Sequence, residues 1–163
     1  MYTEGHGGAM SLLRLLIADD NPIFRHGLRR LLESEPDLLV VGEAADGREA
    51  VELARRLAPD VVLMDIRMPG LDGLDAARQI RTLSPHVRIL VLSSYDAPTL
   101  RAAAQAAGVK GYLDKSVEDE VILAWVRHSP DLARREDIGP SPAAGEAGRG
   151  SSPRRGKATF HPF

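Results

Sequence analysis

The sequence predicts an α/β fold: a doubly wound parallel sheet of five strands, each followed by a helix. Three observations carry this. Short apolar runs recur from residue 11 to about residue 128, stretches with apolar residues three and four apart lie between them, and polar or loop-forming residues end each run. Alternation of this kind means parallel strands joined by right-handed helical crossovers. The runs are apolar on successive residues, as expected of strands covered on both faces.

Leu12–Ala18 is the first strand, and it runs into the acidic pair Asp19-Asp20. Asn21-Pro22 then starts a helix, with Asn as N-cap and Pro at the first helical position. Ile23, Phe24, Leu28, Leu31 and Leu32 form its apolar face, Arg25, Arg29, Arg30 and Glu33 its polar face, and Pro36 ends it. Leu38–Glu43 is the second strand. Asp46 with Glu49 resembles a capping box for a helix carrying Ala50, Val51, Ala54 and Leu57. Pro59-Asp60 turns the chain into Val61–Met64, the most apolar and most central strand, which stops abruptly at Asp65. After a Pro-Gly loop, Leu74, Ala77 and Ile80 mark the third helix. Val87–Leu92 is the fourth strand, followed by Ser93, and Pro98 opens a fourth helix that Gly108 stops. Val109–Leu113 is the fifth strand, ending near Lys115. Ser116 is expected to cap a fifth helix whose first turn holds Glu118, Asp119 and Glu120, as the helix dipole favours, with Val117, Val121, Ala124 and Trp125 facing inward.

The chain has 163 residues, enough for one ordinary domain. Its formal net charge of −2 gives no basic field for nucleic acid, and the absence of cysteine excludes disulfide and thiol chemistry. No apolar run approaches the ~20 residues that span a bilayer. Residues 1–10 are Gly-rich and read as a disordered extension, not a signal peptide. From Gly139 to Phe163 only Phe160 and Phe163 are large and apolar. Residues 129–163 are therefore expected to be a disordered tail, with residues 139–163 removable without loss of fold. Arg149, Arg154, Arg155 and Lys157 in that tail read as a solvated charge run.

The unusual polar residues fall at the carboxyl ends of strands: Asp19 and Asp20, Asp65, Ser93 and Lys115. In a doubly wound sheet these ends converge on one crevice. Three crowded carboxylates repel unless a cation joins them, and oxygen ligands of this type suit Mg²⁺. A hydroxyl and an ammonium opposite them suit phosphoryl oxygens. The set describes a phosphoryl-transfer site whose nucleophile is a carboxylate, since cysteine is absent and the site has no histidine. Taken singly, Asp19 reads as a helix cap, Ser93 as a turn residue, Lys115 as a solvated lysine and Tyr112 as core. Their joint occurrence in the right order decides for function.

Residues 12–127 resemble a receiver domain of bacterial two-component response regulators, of the subfamily that usually carries a LuxR-type helix-turn-helix (NarL/FixJ-like). The stretches IADDNPIFRHGLRRLL, VVGEAADGREAVELA, PDVVLMDIRMPGLDGL, RILVLSSYD and KGYLDKS carry the resemblance. It implies a flavodoxin-like sheet of strand order 2-1-3-4-5. It further implies that Asp65 accepts a phosphoryl group and that Asp19, Asp20, Asp65 and the backbone carbonyl of Arg67 hold Mg²⁺. Ser93 and Lys115 would bind phosphoryl oxygens, with Ser93 and Tyr112 acting as the switch. The implied donor is a sensor histidine kinase and the implied location cytoplasmic. Such a protein is not an ordinary enzyme, but catalyses its own phosphorylation and dephosphorylation. A homodimer would form through helix 4, strand 5 and helix 5, or through helices 1 and 5. Asp114 stands where an apolar residue is usual, and Ser116 where many receivers have proline. No helix-turn-helix is legible after Arg127, so the receiver at residues 11–128 reads as stand-alone or as part of a truncated or frame-shifted regulator.

Three competing readings rank lower. A DNA-binding regulator acting through the tail is disfavoured by the tail's lack of helix periodicity, so DNA binding is not expected from this chain alone, and no membrane partner is expected. An aspartyl-phosphate phosphatase needs a second Asp two residues after the first, where this chain has Arg67. A flavin or dinucleotide binder needs a glycine-rich phosphate loop, where this chain has Asp19-Asp20-Asn21-Pro22.

Overall fold

The computed structural model describes residues 11–127 and 161–162. In chain order the elements are β1 (Leu13–Ala18), α1 (Pro22–Glu33), β2 (Leu38–Ala44), α2 (Gly47–Leu57), β3 (Val61–Met64), α3 (Gly73–Leu83), β4 (Arg88–Ser93), α4 (Pro98–Ala106), β5 (Gly111–Asp114), α5 (Asp119–Arg127) and β6 (His161–Pro162). The expected residues 1–10 and all of the tail except 161–162 lie outside the described residues.

Five parallel strands stand in the order β2-β1-β3-β4-β5, as expected. Side chains alternate across each strand, so each strand feeds two cores. Leu16, Ala18, Val62, Met64, Ile89, Val91 and Tyr112 pack with Ala50, Ala54, Ala76, Ala77, Ile80 and Ala104 of α2, α3 and α4. On the other face Leu15, Ile17, Leu63, Leu90, Leu92 and Leu113 meet Leu28 and Leu32 of α1 and Ile122, Trp125 and Val126 of α5. Alanines on the first face let three helices approach the sheet closely, and the second face fills its space with leucines and one tryptophan. Both faces being covered is why β3 and β4 are buried at every residue.

Local chemistry sets the helix starts. Asn21 accepts N–H bonds from Ile23 and Phe24, with Pro22 at the first helical position. Asp46 accepts from the N–H of Glu49 at 2.8 Å, and the Glu49 carboxylate reaches back to the N–H of Ala45 at 2.9 Å.

Two expectations differ from the structure. Ser116 does not cap α5, which begins three residues later at Asp119. Its N–H and hydroxyl instead donate to Asp114 Oδ1 at 2.7 and 2.5 Å. Asp114 thus organises the turn out of β5, which gives a role to a carboxylate that looked out of place. The second difference is β6: His161–Pro162 pairs antiparallel with β5, within a tail expected to be without structure.

Arg127 closes the end of α5 onto the α1–β2 connection. Its Nε and Nη2 donate to Asp37 at 2.8 and 2.7 Å, and Nη2 also reaches Glu35. The Arg127 hydrogen bond holds the Asp37 carboxyl below its ordinary range, more than offsetting the upward pull of burial. A depressed carboxyl contributes stability above its unfolded pKa and loses it as pH falls through the folded value. We expect Arg127→Ala to cost about 1 kcal/mol at pH 7, small because the pair is partly exposed. The gap to wild type should close below about pH 4. Urea unfolding of both proteins at neutral and acid pH checks this, and an equal gap at both would contradict it.

Candidate functional site

The site is built at the carboxyl edge of β1, β3, β4 and β5. Asp19 follows the last residue of β1, and its N–H donates to the carbonyl of Ala44 at 3.0 Å. Asp65 follows β3, and its N–H donates to the carbonyl of Ala18 at 2.8 Å. Neighbouring strands therefore fix the two carboxylates at the same level of the sheet. Gly73 tightens the arrangement: a Cβ there would lie 1.9 Å from the Asp65 carbonyl oxygen, so only glycine lets the β3–α3 loop fold back this closely.

Asp19 and Asp65 are buried and Asp20 is exposed. Their ligand atoms lie within 4.8 Å of one another. Lys115 reaches over from the end of β5, its Nζ 2.6 Å from Asp19 Oδ2 and 3.2 Å from Asp65 Oδ2. The ammonium also stands 4.4 Å from the centre of the Phe24 ring, and the Lys115 N–H donates to the Ser93 carbonyl at 3.0 Å. Asp19 Oδ1 takes the N–H of Asn21 at 2.9 Å, and Arg25 donates to the Asp19 carbonyl at 2.7 Å.

Burial, then the Asp19 charge, pushes the Asp65 carboxyl above its ordinary range, with Lys115 pulling the other way. Burial pulls Lys115 down, but the Asp19 hydrogen bond and the charges of Asp65 and Asp19 outweigh it and leave Lys115 above its ordinary value. A hard cation relieves the remaining repulsion best, so the cluster is compatible with Mg²⁺.

The structure brings Asp19, Asp20, Asp65 and Lys115 together. Ser93 is fully buried at the end of β4, and its Oγ accepts the N–H of Tyr95 at 3.1 Å. Tyr112 on β5 is also fully buried, and its hydroxyl donates to the Tyr95 carbonyl. Burial raises the Tyr112 phenol above its ordinary value, against a hydrogen bond with Ser93. Both expected switch residues therefore meet at one loop residue, Tyr95.

Sequence reasoning missed that residue's role. The Arg67 guanidinium lies 3.9 Å from the centre of the Tyr95 ring. Arg101 lies 5.1 Å from the centre of the Tyr112 ring and bonds Asp96 at 2.6 Å. A loop aromatic two residues after a strand-end hydroxyl was the available signal, but only the folded loop turns it towards Arg67.

A family model described as the response regulator receiver domain matches residues 15–127. The transcriptional regulatory protein DegU of Brevibacillus brevis is 37% identical over 115 residues, covering 71% of this chain and 49% of DegU. The nitrate/nitrite response regulator protein NarP of Escherichia coli is 41% identical over 114 residues, covering 70% and 53%. The crystal structure of a two-component response regulator of the LuxR family from Aurantimonas sp. SI85-9A1 has a TM-score of 0.66 at 39% identity, covering 76% of this chain and 94% of that one. The chain thus spans about half the length of the curated relatives it matches.

Removing the Tyr112 hydroxyl leaves the Tyr95 carbonyl without that donor while keeping the buried ring. We expect Tyr112→Phe to destabilise the protein by about 1 kcal/mol in denaturant unfolding. Amide exchange should rise in the loop at Ser94–Asp96 and stay unchanged in β1 and β3. Uniform exchange changes would contradict a local role.

Proposed function

The chain belongs to the response regulator receiver domain family, and from that premise we propose that Asp65 is its phosphoryl acceptor, in a site shared with Asp19, Asp20, Ser93 and Lys115. Receiver function in a two-component system follows from family membership. The residue roles below are the reading that the geometry supports best. The observation that carries it is Lys115 Nζ set between the buried carboxylates of Asp19 and Asp65.

Asp19, Asp20 and Asp65, with the backbone carbonyl of Arg67, are the residues proposed to hold Mg²⁺. Bound there, the ion would neutralise carboxylate and phosphoryl charge. The remaining chemistry belongs to the chain. An Asp65 carboxylate oxygen forms the new P–O bond while the donor's bond to phosphorus breaks and its electron pair leaves with the donor. A sensor histidine kinase is the proposed donor, through a phosphorylated imidazole. Lys115 already donates to Asp65 and can turn its ammonium to a phosphoryl oxygen. Ser93 Oγ accepts from the Tyr95 N–H and shares a hydrogen bond with Tyr112, and its O–H can turn from the phenol to donate to a second phosphoryl oxygen.

Output follows from the same bonds. A Ser93 hydroxyl drawn to the phosphoryl group shifts the Tyr95 loop, to which Tyr112 is tied. Ser93 and Tyr112 thus form the proposed two-state element, here with the ring inside, reporting to the surface of α4, β5 and α5. Two dimer surfaces fit the reading: that one, and α1 with α5. The second has support in a groove of about 370 Å³ lined by Ile23, Phe24, Leu28, Leu31, Val117 and Ile122, with Ile23 84% exposed. Cytoplasmic location is proposed with this function. Among the described residues, no helix is long and apolar enough to cross a membrane. Control of transcription is a further reading, favoured by the half-length match to relatives named as transcriptional regulators.

Intact-mass analysis after a small phosphoryl donor with Mg²⁺ tests the assignment. Wild type should gain one phosphoryl group, and Asp65→Asn or excess chelator should abolish the gain. Label mapped to another residue, or undiminished labelling in chelator, would overturn it. Ser93→Ala should still label at Asp65 but bind beryllofluoride about tenfold more weakly, the loss of one hydrogen bond to a charged group. Its Tyr112 resonances should no longer respond to that mimic, and an equal response in both proteins would refute the coupled switch.

A further inference from the structure

A five-stranded parallel sheet has two open edges, and on one side β5 presents its outer backbone groups. The N–H of Lys110 donates to the Ile89 carbonyl on β4. Successive N–H groups of a strand point to opposite edges, so the Gly111 N–H faces outward. That edge is occupied. Pro162 stands opposite Gly111 and His161 opposite Tyr112, in antiparallel register.

We propose that the outer edge of β5 is a strand-docking site whose occupant is this chain's own C-terminal segment, His161–Pro162, seated in cis. Recognition is through the main chain, the mode by which extended segments add to sheet edges. The segment's sequence suits the task. After Gly139 the chain is Gly, Pro, Ser, Ala and Arg apart from a few residues, and its large apolar ones, Phe160 and Phe163, flank His161–Pro162, with β-branched Thr159 before them. Pro162 stands opposite Gly111 with its nitrogen towards β5, so the Gly111 N–H is the one donor of that pair.

Chain length favours the cis arrangement. Residues 128–160 separate the end of α5 from β6. An extended residue spans up to about 3.3 Å, so this stretch reaches well beyond the width of the domain. The tether makes docking intramolecular, which a second copy at ordinary concentration does not match. The receiver reading does not enter this inference: the docked strand covers β5 whether or not Asp65 carries a phosphoryl group. Any partner that adds a strand to β5 must first displace it.

Hydrogen exchange of β5 peptides, without phosphoryl donor or metal, tests the proposal. The full chain is compared with a chain ending at Lys157 and with a full-length chain whose residues 158–163 are alternating glycine and serine. The Gly111 amide should exchange about fivefold faster in both variants, the effect of one ordinary hydrogen bond. A synthetic peptide of residues 157–163, added to the shortened chain, should restore protection. In the full chain, protection should hold over a roughly tenfold range of protein concentration. Equal exchange in all three chains would overturn the docking site. Protection that grows with concentration, together with a dimer in sedimentation, would overturn the cis occupant in favour of a second copy.

Discussion

One ammonium holds two buried carboxylates in this molecule. Lys115 Nζ bonds Asp19 and Asp65, and Asp20 lies within ligand range of both. Three carboxylates less one ammonium leave two negative charges, the charge that one divalent cation balances. Such a cluster is unfavourable unless the backbone forces it, and the sheet does so. β1 and β3 are neighbours although β2 lies between them in sequence. The chain reverses its direction of travel across the sheet there, sending α1 to one face and α2 and α3 to the other, which opens the crevice. The site therefore follows from topology, and the topology from strands apolar enough to be covered on both faces.

The two faces divide the work. Leucines and Trp125 under α1 and α5 give bulk. The alanine-rich face under α2, α3 and α4 contains Tyr112, whose hydroxyl bonds the loop after β4. Lys115 ties to the Ser93 carbonyl and Ser93 Oγ to the Tyr95 N–H, so charge at the carboxylates and packing at β5 share one chain of hydrogen bonds. The proposed coupling would need no long wire, because Lys115 and the Tyr112 ring sit at the same strand end, three residues apart.

Much of this was legible in the sequence, for physical reasons. Strands buried on both faces announce themselves as apolar runs, Asn21 and Asp46 mark helix starts through cap bonds, and Pro22 and Pro98 mark them through a fixed backbone angle. The strand-end residues Asp19, Asp65, Ser93 and Lys115 were legible because sheet order decides what meets at an edge. What stayed hidden depends on side chains far apart in sequence or on loop geometry. Arg127 meets Asp37 across ninety positions, and Arg67 meets Tyr95 across a crevice. Ser116 looked like a cap because it is a serine before an acidic turn, yet the competing acceptor Asp114, two residues earlier, captures it. β6 gave no periodic signal, since two residues paired through their backbone need none.

The most direct test of the central claim is a crystal structure of the full chain grown with Mg²⁺ and beryllofluoride. The fluoride complex is expected on an Asp65 oxygen, within hydrogen-bond reach of Lys115 Nζ and Ser93 Oγ, with the metal bound by Asp19, Asp20 and Asp65. Beryllofluoride on another carboxylate, or a metal that leaves Asp19 and Asp20 uncoordinated, would contradict it.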